Sequence, residues 1–326
     1  MPLHRASHAC RAAREPAYDR DATRALSDAT DAPVMPLSDS ADFTAAAAAA
    51  AAQLPADLVA SAVAALARAD ALLVTAGAGI GVDSGLPDFR GTDGFWRAYP
   101  ALRRERFEFH EIASPHAFRA RAPLAWGFYG HRLALYRATV PHAGFAILRR
   151  WIDAMPNGGF VLTSNVDGQF QKAGFDPARI VEIHGSIHAM QCLRPCSDDT
   201  WDAAPFVPDV DETTCRLVGE MPRCPRCGGL ARPNILMFGD TGWLGARYDA
   251  QERALEDWIA RAGRVAVVEI GAGTAIPTVR LLSERLGADV IRINAREAHA
   301  RRADVIGLKG GALATLGALD AAWQRA

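Results

Sequence analysis

Residues 74–96, Val-Thr-Ala-Gly-Ala-Gly-Ile-Gly-Val-Asp-Ser-Gly-Leu-Pro-Asp-Phe-Arg-Gly-Thr-Asp-Gly-Phe-Trp, constrain this chain more than any other stretch. An apolar run, Ala71–Val74, ends in Thr75-Ala76-Gly77-Ala78-Gly79, so a strand passes directly into small residues. Side chains this small let backbone approach a diphosphate, and the amides at a following helix start can bind its charge. Pro87 restrains its predecessor and interrupts a helical continuation. An acid, an aromatic and a base follow at once: Asp88, Phe89 and Arg90. The loop is built to enclose a nucleotide as well as to hold its phosphates.

The rest of the chain can carry such a site. With 326 residues, 50% of them hydrophobic, it has enough apolar surface for a substantial core. A formal net charge of −1 gives no bulk attraction to nucleic acid or to an anionic membrane. No apolar stretch is long enough to span a bilayer, and the alanine run Ala45–Ala52 is too short and too weakly hydrophobic. Four of the 6 cysteines fall in two close pairs, the pattern of a metal site in a reducing compartment, so the expected location is the cytoplasm. Residues 1–54 lack apolar periodicity and read as a disordered extension, within which Met35-Pro-Leu repeats the opening Met1-Pro-Leu.

From residue 55 onward, strands alternate with helices. Strands are expected at 71–74, 160–163, 180–183, 264–270 and 290–293, and helices near 55–67, 142–154, 278–286 and 312–323. This pattern predicts an α/β fold: a Rossmann-like parallel sheet with helices on both faces. Residues 55–326 would form the folded domain. A helical, aromatic-rich insertion occupies about 92–140, and a smaller zinc-binding module about 190–232. Ligands of such sheets bind beyond the carboxyl ends of the strands. Gly77, Asn165, His184, Gly271 and Asn294 all follow expected strands directly.

Within that frame, His184 is the candidate general base, because a near-neutral imidazole can take a proton from a hydroxyl. Asn165 and Asp167 read as turn residues at a strand end. Cys192, Cys196, Cys224 and Cys227 form C-x3-C and C-x2-C pairs suited to one closed, structural Zn2+, with Cys215 as a conceivable substitute ligand. Tyr129 and Arg132 share one helix face by their i, i+3 spacing, and together suit a carboxylate.

The long glycine loop resembles that of the sirtuins, the NAD-dependent protein-lysine deacylases. Ser164-Asn165-Val166-Asp167-Gly168, Glu182-Ile183-His184-Gly185-Ser186, Arg232-Pro-Asn-Ile-Leu-Met-Phe-Gly-Asp240 and Ile291-Arg-Ile-Asn294 occur in that family's order, as do the cysteine pairs. The resemblance covers roughly residues 55–320. It implies that NAD is the cofactor and that acyl-lysine proteins or peptides are the partners; the sequence leaves the oligomeric state open, a monomer included. The products would be nicotinamide, free lysine and O-acyl-ADP-ribose. It further implies His184, Asn165 and Asp167 as catalytic residues. Ala76, Gly77, Ala78, Gly79, Ile80, Asp88, Phe89, Arg90, Ser164, Asn165, Asp167, Gly271, Ala272, Gly273 and Asn294 would bind NAD. Tyr129, Arg132, Phe238 and Gly239 would bind the acyl-lysine substrate. Tyr-x-x-Arg at this place accompanies removal of succinyl, malonyl or glutaryl groups in some sirtuins. The alternative on the same pocket is a mono-ADP-ribosyltransferase or an NAD glycohydrolase.

Four positions depart from the family's usual residues. Ser164 stands for a glutamine, Ala272-Gly273 for Thr-Ser, and Gly81 for a serine. These departures bear on how the cofactor is held more than on the reaction.

Overall fold

The computed structural model describes residues 53–87, 91–299 and 302–326. The expected extension up to residue 52, and Asp88, Phe89 and Arg90, lie outside them. In chain order the strands are β1 (Ala71–Ala76), β2 (Gly159–Thr163), β3 (Ile180–Glu182), β4 (Gly185–Cys192), β5 (Thr200–Asp202) and β6 (Val210–Asp211). They continue with β7 (Arg216–Leu217), β8 (Ala231–Ile235), β9 (Val265–Ile270), β10 (Asp289–Asn294) and β11 (Val305–Lys309).

The run Ala-Leu-Leu-Val-Thr-Ala of β1 is buried throughout, as befits a central strand covered on both faces. It sits in a six-stranded sheet of order β11-β10-β9-β1-β2-β3, in which every pairing is parallel. The order reverses between β1 and β9, the switch point at which such sheets form a ligand crevice. One face packs against helices Ala56–Ala67, Ala143–Ala154 and Ala312–Trp323, through Leu66, Phe145, Leu148 and Leu316. The other is covered by Ala246–Ile259 and Thr278–Leu286, through Leu255, Trp258 and Val279. The expected Rossmann-like sheet is present; five of its six strands start and stop within two residues of the positions read from the sequence, and edge strand β11 was not read there.

Between β1 and β2 lies a helical segment whose longest member is Ala122–Ala138. Ser114 starts the preceding helix, Pro115–Ala120, by accepting a hydrogen bond from the Ala117 amide at 3.2 Å. Between β3 and β9 lies a three-stranded antiparallel sheet, β5-β4-β8, with the small hairpin β6–β7 beside it. Pro233 is tolerated in β8 because that strand is at the sheet edge. These two segments share one core, in which Phe95, Phe118, Trp126, Phe128 and Tyr129 pack with Ile187, Met190, Leu217 and Ile235. Trp126 Nε1 donates to the Ala231 carbonyl at 3.0 Å, tying the helix to β8. The helical segment and the cysteine-bearing module are therefore two parts of one smaller lobe. Among the described residues, no helix is long and apolar enough to cross a membrane.

Candidate active site and metal centre

A cleft of about 670 Å3 opens at the switch point, between the sheet's carboxyl edge and the smaller lobe. Its walls include Gly77, Ala78, Ser164, Asn165, Asp167, His184, Gly271, Ala272, Gly273, Tyr129, Arg132 and Phe238. Most of the residues singled out in the sequence are thus brought to one surface. Ala76, Gly79, Ile80 and Asn294 stand behind that surface, and Gly239 lines a neighbouring groove with Phe107, His110 and Arg121.

The glycines after β1 have a reason that the sequence alone does not show. A Cβ on Gly77 would lie 2.8 Å from the Gly271 carbonyl oxygen, and one on Gly79 would lie 2.6 Å from the Gly271 Cα. The two glycine loops pack backbone on backbone, so the small residues serve this contact first. The amides of Gly77 and Gly79 are already spent on the carbonyls of Ile270 and Gly271, at 2.9 and 3.1 Å. The chain then enters a 3-10 turn, Ala78–Ser84, closed by Gly85 at φ +85°.

Asn165 fastens this loop to the end of β2. Its Nδ2 donates to the Gly77 carbonyl at 3.1 Å, and its backbone amide donates to Thr163 Oγ1 at 3.0 Å. Asp167 is 9% exposed and accepts the Gln169 amide at 3.0 Å. Burial pushes its carboxyl up to about 6, against the opposing pull of that amide and of the Arg132 charge.

His184 occupies the turn between β3 and β4. The next residue, Gly185, has φ +75°, and a Cβ there would stand 2.2 Å from the Asn234 carbonyl oxygen. His184 Nδ1 lies 3.1 Å from the Ser164 carbonyl, which can only accept, so Nδ1 carries the proton. Nε2 is then an unprotonated base, and burial holds the imidazole below its ordinary pKa, which keeps it neutral.

Arg132 lies on the opposite wall with its guanidinium buried among rings, 5.3 Å from the centroids of Phe128 and Tyr136 and 6.0 Å from that of Tyr129. Its Nε and Nη2 both donate to the Tyr136 hydroxyl, at 2.8 and 2.5 Å. Tyr129 is fully buried and its phenol is pushed up to about 12, so it remains a neutral donor. Tyr136 was not singled out in the sequence, although its i+4 spacing from Arg132 was there to be read.

Beneath Phe238, Arg232 pairs with Asp240 at 2.7 Å, their side chains 1% and 0% exposed. Asp240 also accepts the Gly242 amide at 3.0 Å. The Phe238 amide donates to the Ala113 carbonyl at 3.0 Å, which leaves the ring 44% exposed at the cleft edge.

A second residue missed in the sequence is Glu297, which lines the cleft after β10 and accepts Thr274 Oγ1 at 2.6 Å. Asn294 Oδ1 accepts the amides of Arg296 and Glu297 at 3.0 and 2.9 Å, an Asx turn that aims the loop.

In the smaller lobe the four sulfurs of Cys192, Cys196, Cys224 and Cys227 lie within 4.8 Å of one another. Cys192–Cys227 and Cys196–Cys224 are 3.7 and 3.6 Å apart. A tetrahedral Zn–S distance of about 2.3 Å demands sulfur separations of about 3.8 Å, so the set fits one zinc ion with closed, structural coordination. Gly228, at φ +69°, makes the knuckle turn by donating to the Cys224 carbonyl at 2.9 Å. Cys215 is no substitute ligand. It sits before β7 at φ +53°, its carbonyl pressed against Gly127, where a Cβ would come within 2.1 Å.

A doubly wound sheet with glycine loops at its switch point, beside a lobe built on a four-thiolate knuckle, defines an α/β nucleotide-binding protein with a structural metal centre. The chain belongs to the Sir2 family, whose profile matches residues 77–258. It is 31% identical over 228 residues to the NAD-dependent protein deacylase of Aquifex aeolicus, covering 69% of this chain and 84% of that one. It is 30% identical to the NAD-dependent protein deacylase of Pyrococcus furiosus, covering 70% and 83%. Among solved structures, a Sir2 homolog–NAD complex superposes with a TM-score of 0.63 at 22% identity, covering 81% of this chain and 93% of that one.

Proposed function

We propose that this protein is an NAD-dependent protein-lysine deacylase that acts on acyl-lysine side chains of proteins or peptides and yields nicotinamide and O-acyl-ADP-ribose. Family membership and the names of its relatives support the reaction class. The observation that carries the reading is His184, whose Nδ1 is fixed by the Ser164 carbonyl while neutral Nε2 remains available beside the cleft.

When bound, NAD supplies the glycosidic bond that breaks and the ribose carbon that receives the acyl oxygen. The backbone of Ala78 and Gly273, on loops set by Gly77 and Gly271, would hold its phosphates, with Asn165 and Asp167 on the ribose and nicotinamide side. His184 Nε2, neutral and beside the cleft, would accept the proton of a ribose hydroxyl of the bound dinucleotide. Phe238, at the cleft edge, would flank the substrate, and the apolar wall from Ile235 to Met237 would exclude water. A zinc ion held by Cys192, Cys196, Cys224 and Cys227 would supply structure only, in the lobe that carries Tyr129 and Arg132.

Tyr129 and Arg132 favour acyl groups that end in a carboxylate, such as succinyl or malonyl. A guanidinium packed among rings and a neutral phenol face the cleft together, the donor set such an anion requires. Incubation with NAD and a panel of acyl-lysine peptides, read by mass, tests both statements. Free ADP-ribose or ADP-ribosylated protein, without O-acyl-ADP-ribose, would instead indicate the glycohydrolase or transferase reaction.

A further inference from the structure

The loop after β9 carries Ala272 and Gly273 where the family usually has two hydroxyl side chains, so these two side chains offer a phosphate no donor, and the hydroxyl of the next residue, Thr274, is taken up by Glu297 at 2.6 Å. Its backbone is held in an uncommon way. The Ala272 carbonyl oxygen accepts three side-chain donors at once: Arg280 Nε at 3.2 Å, Arg280 Nη2 at 3.0 Å and Asn294 Nδ2 at 2.9 Å. Arg280 and Asn294 are 8% and 3% exposed, so this cluster lies within the wall and not in the cleft. Arg280 Nη2 also donates to the Glu297 carbonyl at 2.5 Å. One guanidinium thus clamps the loops that follow β9 and β10.

A planar trans peptide points its carbonyl and the next amide in opposite directions. Drawing the Ala272 oxygen into the wall therefore turns the Gly273 N–H outward, and Gly273 lines the cleft. Among the described residues that N–H has no acceptor, whereas the neighbouring Thr274 N–H and Oγ1 are taken up by Glu297 at 3.1 and 2.6 Å. Gly273 is not forced by sterics, since the nearest atom to a Cβ there would be Glu297 Oε2 at 3.9 Å. Its lack of a side chain leaves the amide uncovered.

We propose that Arg280, together with Asn294, is a positioning residue that sets the Ala272–Gly273 peptide so that its N–H binds a phosphate of the dinucleotide, in place of the missing hydroxyls. This rests on the NAD reading above. Buried Arg280 touches no substrate; it acts through the carbonyl it holds.

The test is titration calorimetry of the whole protein with ADP-ribose and with adenosine, which lacks phosphate. Arg280→Lys keeps the charge and the apolar stem but has no fork to span both carbonyls. It is expected to weaken ADP-ribose binding about three- to tenfold, the scale of one lost hydrogen bond, and to leave adenosine unchanged. Arg280→Met is expected to weaken it further. For Arg280→Lys, KM for NAD rises by the same factor while kcat at saturation holds. Unaltered ADP-ribose binding in Arg280→Lys overturns the proposal, whether or not Arg280→Met folds. An equal loss for adenosine also overturns it, because the effect would then be a general loosening. A wild-type protein that binds neither NAD nor ADP-ribose would instead overturn the NAD reading itself.

Discussion

At His184 the fold decides which nitrogen is basic before any substrate arrives. The Ser164 carbonyl accepts a hydrogen bond from Nδ1–H, and burial lowers the pKa below the ordinary 6.5, so the neutral form prevails at pH 7. The acid limb of kcat/KM is therefore expected to have its midpoint below about 6.5; a midpoint well above that value would assign the limb to another group. Asp167 gives a prediction of opposite kind. Its native pKa of about 6 lies above the unfolded 3.8. Below 3.8 the carboxyl is protonated in both states and costs nothing; the penalty grows as pH rises from there and is complete above about 6. Asp167→Asn should therefore raise Tm at pH 7.5 by a few degrees, a gain that fades toward pH 4 in thermal scans, while reducing turnover. Arg132→Met should lower kcat/KM for succinyl-lysine peptides by tenfold or more and leave acetyl-lysine nearly unchanged, since only the acidic chain loses a charged partner. An equal fall for both peptides would make Arg132 structural. Arg132 and Tyr129 were legible as a helix face, but the two bonds from Arg132 to Tyr136 were not, because i+4 spacing permits a contact without requiring it.

The glycine loops show how an element can be read correctly for an incomplete reason. Small residues after β1 marked the site because an apolar parallel strand stops abruptly there, and the same abruptness exposed Asn165, His184 and Gly271. Their main physical task is the contact between the two loops, which depends on β1 pairing with β9 across some 190 residues of sequence and so leaves no local signal. Gly79→Ala is expected to destabilise the protein by about 1–3 kcal/mol and to weaken NAD binding, because the added Cβ meets backbone that cannot give way. Gly81→Ser, at the position where the family usually has serine, should be mild. Its nearest neighbour is the Leu86 side chain at 3.1 Å, which can turn aside. Thermal unfolding of the two variants, together with NAD titration, checks the contrast. Helix Ala246–Ile259 and strand β11 went unread because each has a weak pattern: the helix buries only Leu255 and Trp258, and β11 is a sheet-edge strand buried only at Val305 and Leu308.

The molecule as a whole joins a doubly wound sheet to a smaller lobe whose four clustered cysteines are placed to hold one zinc ion. Two segments separated in sequence by β2 and β3 share one core in that lobe, so the zinc knuckle supports the wall that carries Tyr129 and Arg132. Elemental analysis should find one zinc per chain. Cys224→Ser should lose it and lower both Tm and activity, whereas Cys215→Ser should retain it. Zinc loss in Cys215→Ser would contradict the assignment of the four ligands. That the two insertions form a single lobe was not legible, since their contacts are long-range; the Rossmann-like sheet was, since each of its inner strands carries a cluster of apolar residues and is buried throughout. The central claim is that this cleft transfers the acyl group of a lysine to ADP-ribose with His184 as base. Mass analysis of the products formed from NAD and a succinyl- or acetyl-lysine peptide, by the wild type and by His184→Ala, tests it most directly. The account predicts O-acyl-ADP-ribose from the wild type and at least a hundredfold less from His184→Ala; equal yields from the two proteins, or free ADP-ribose alone from the wild type, would contradict it.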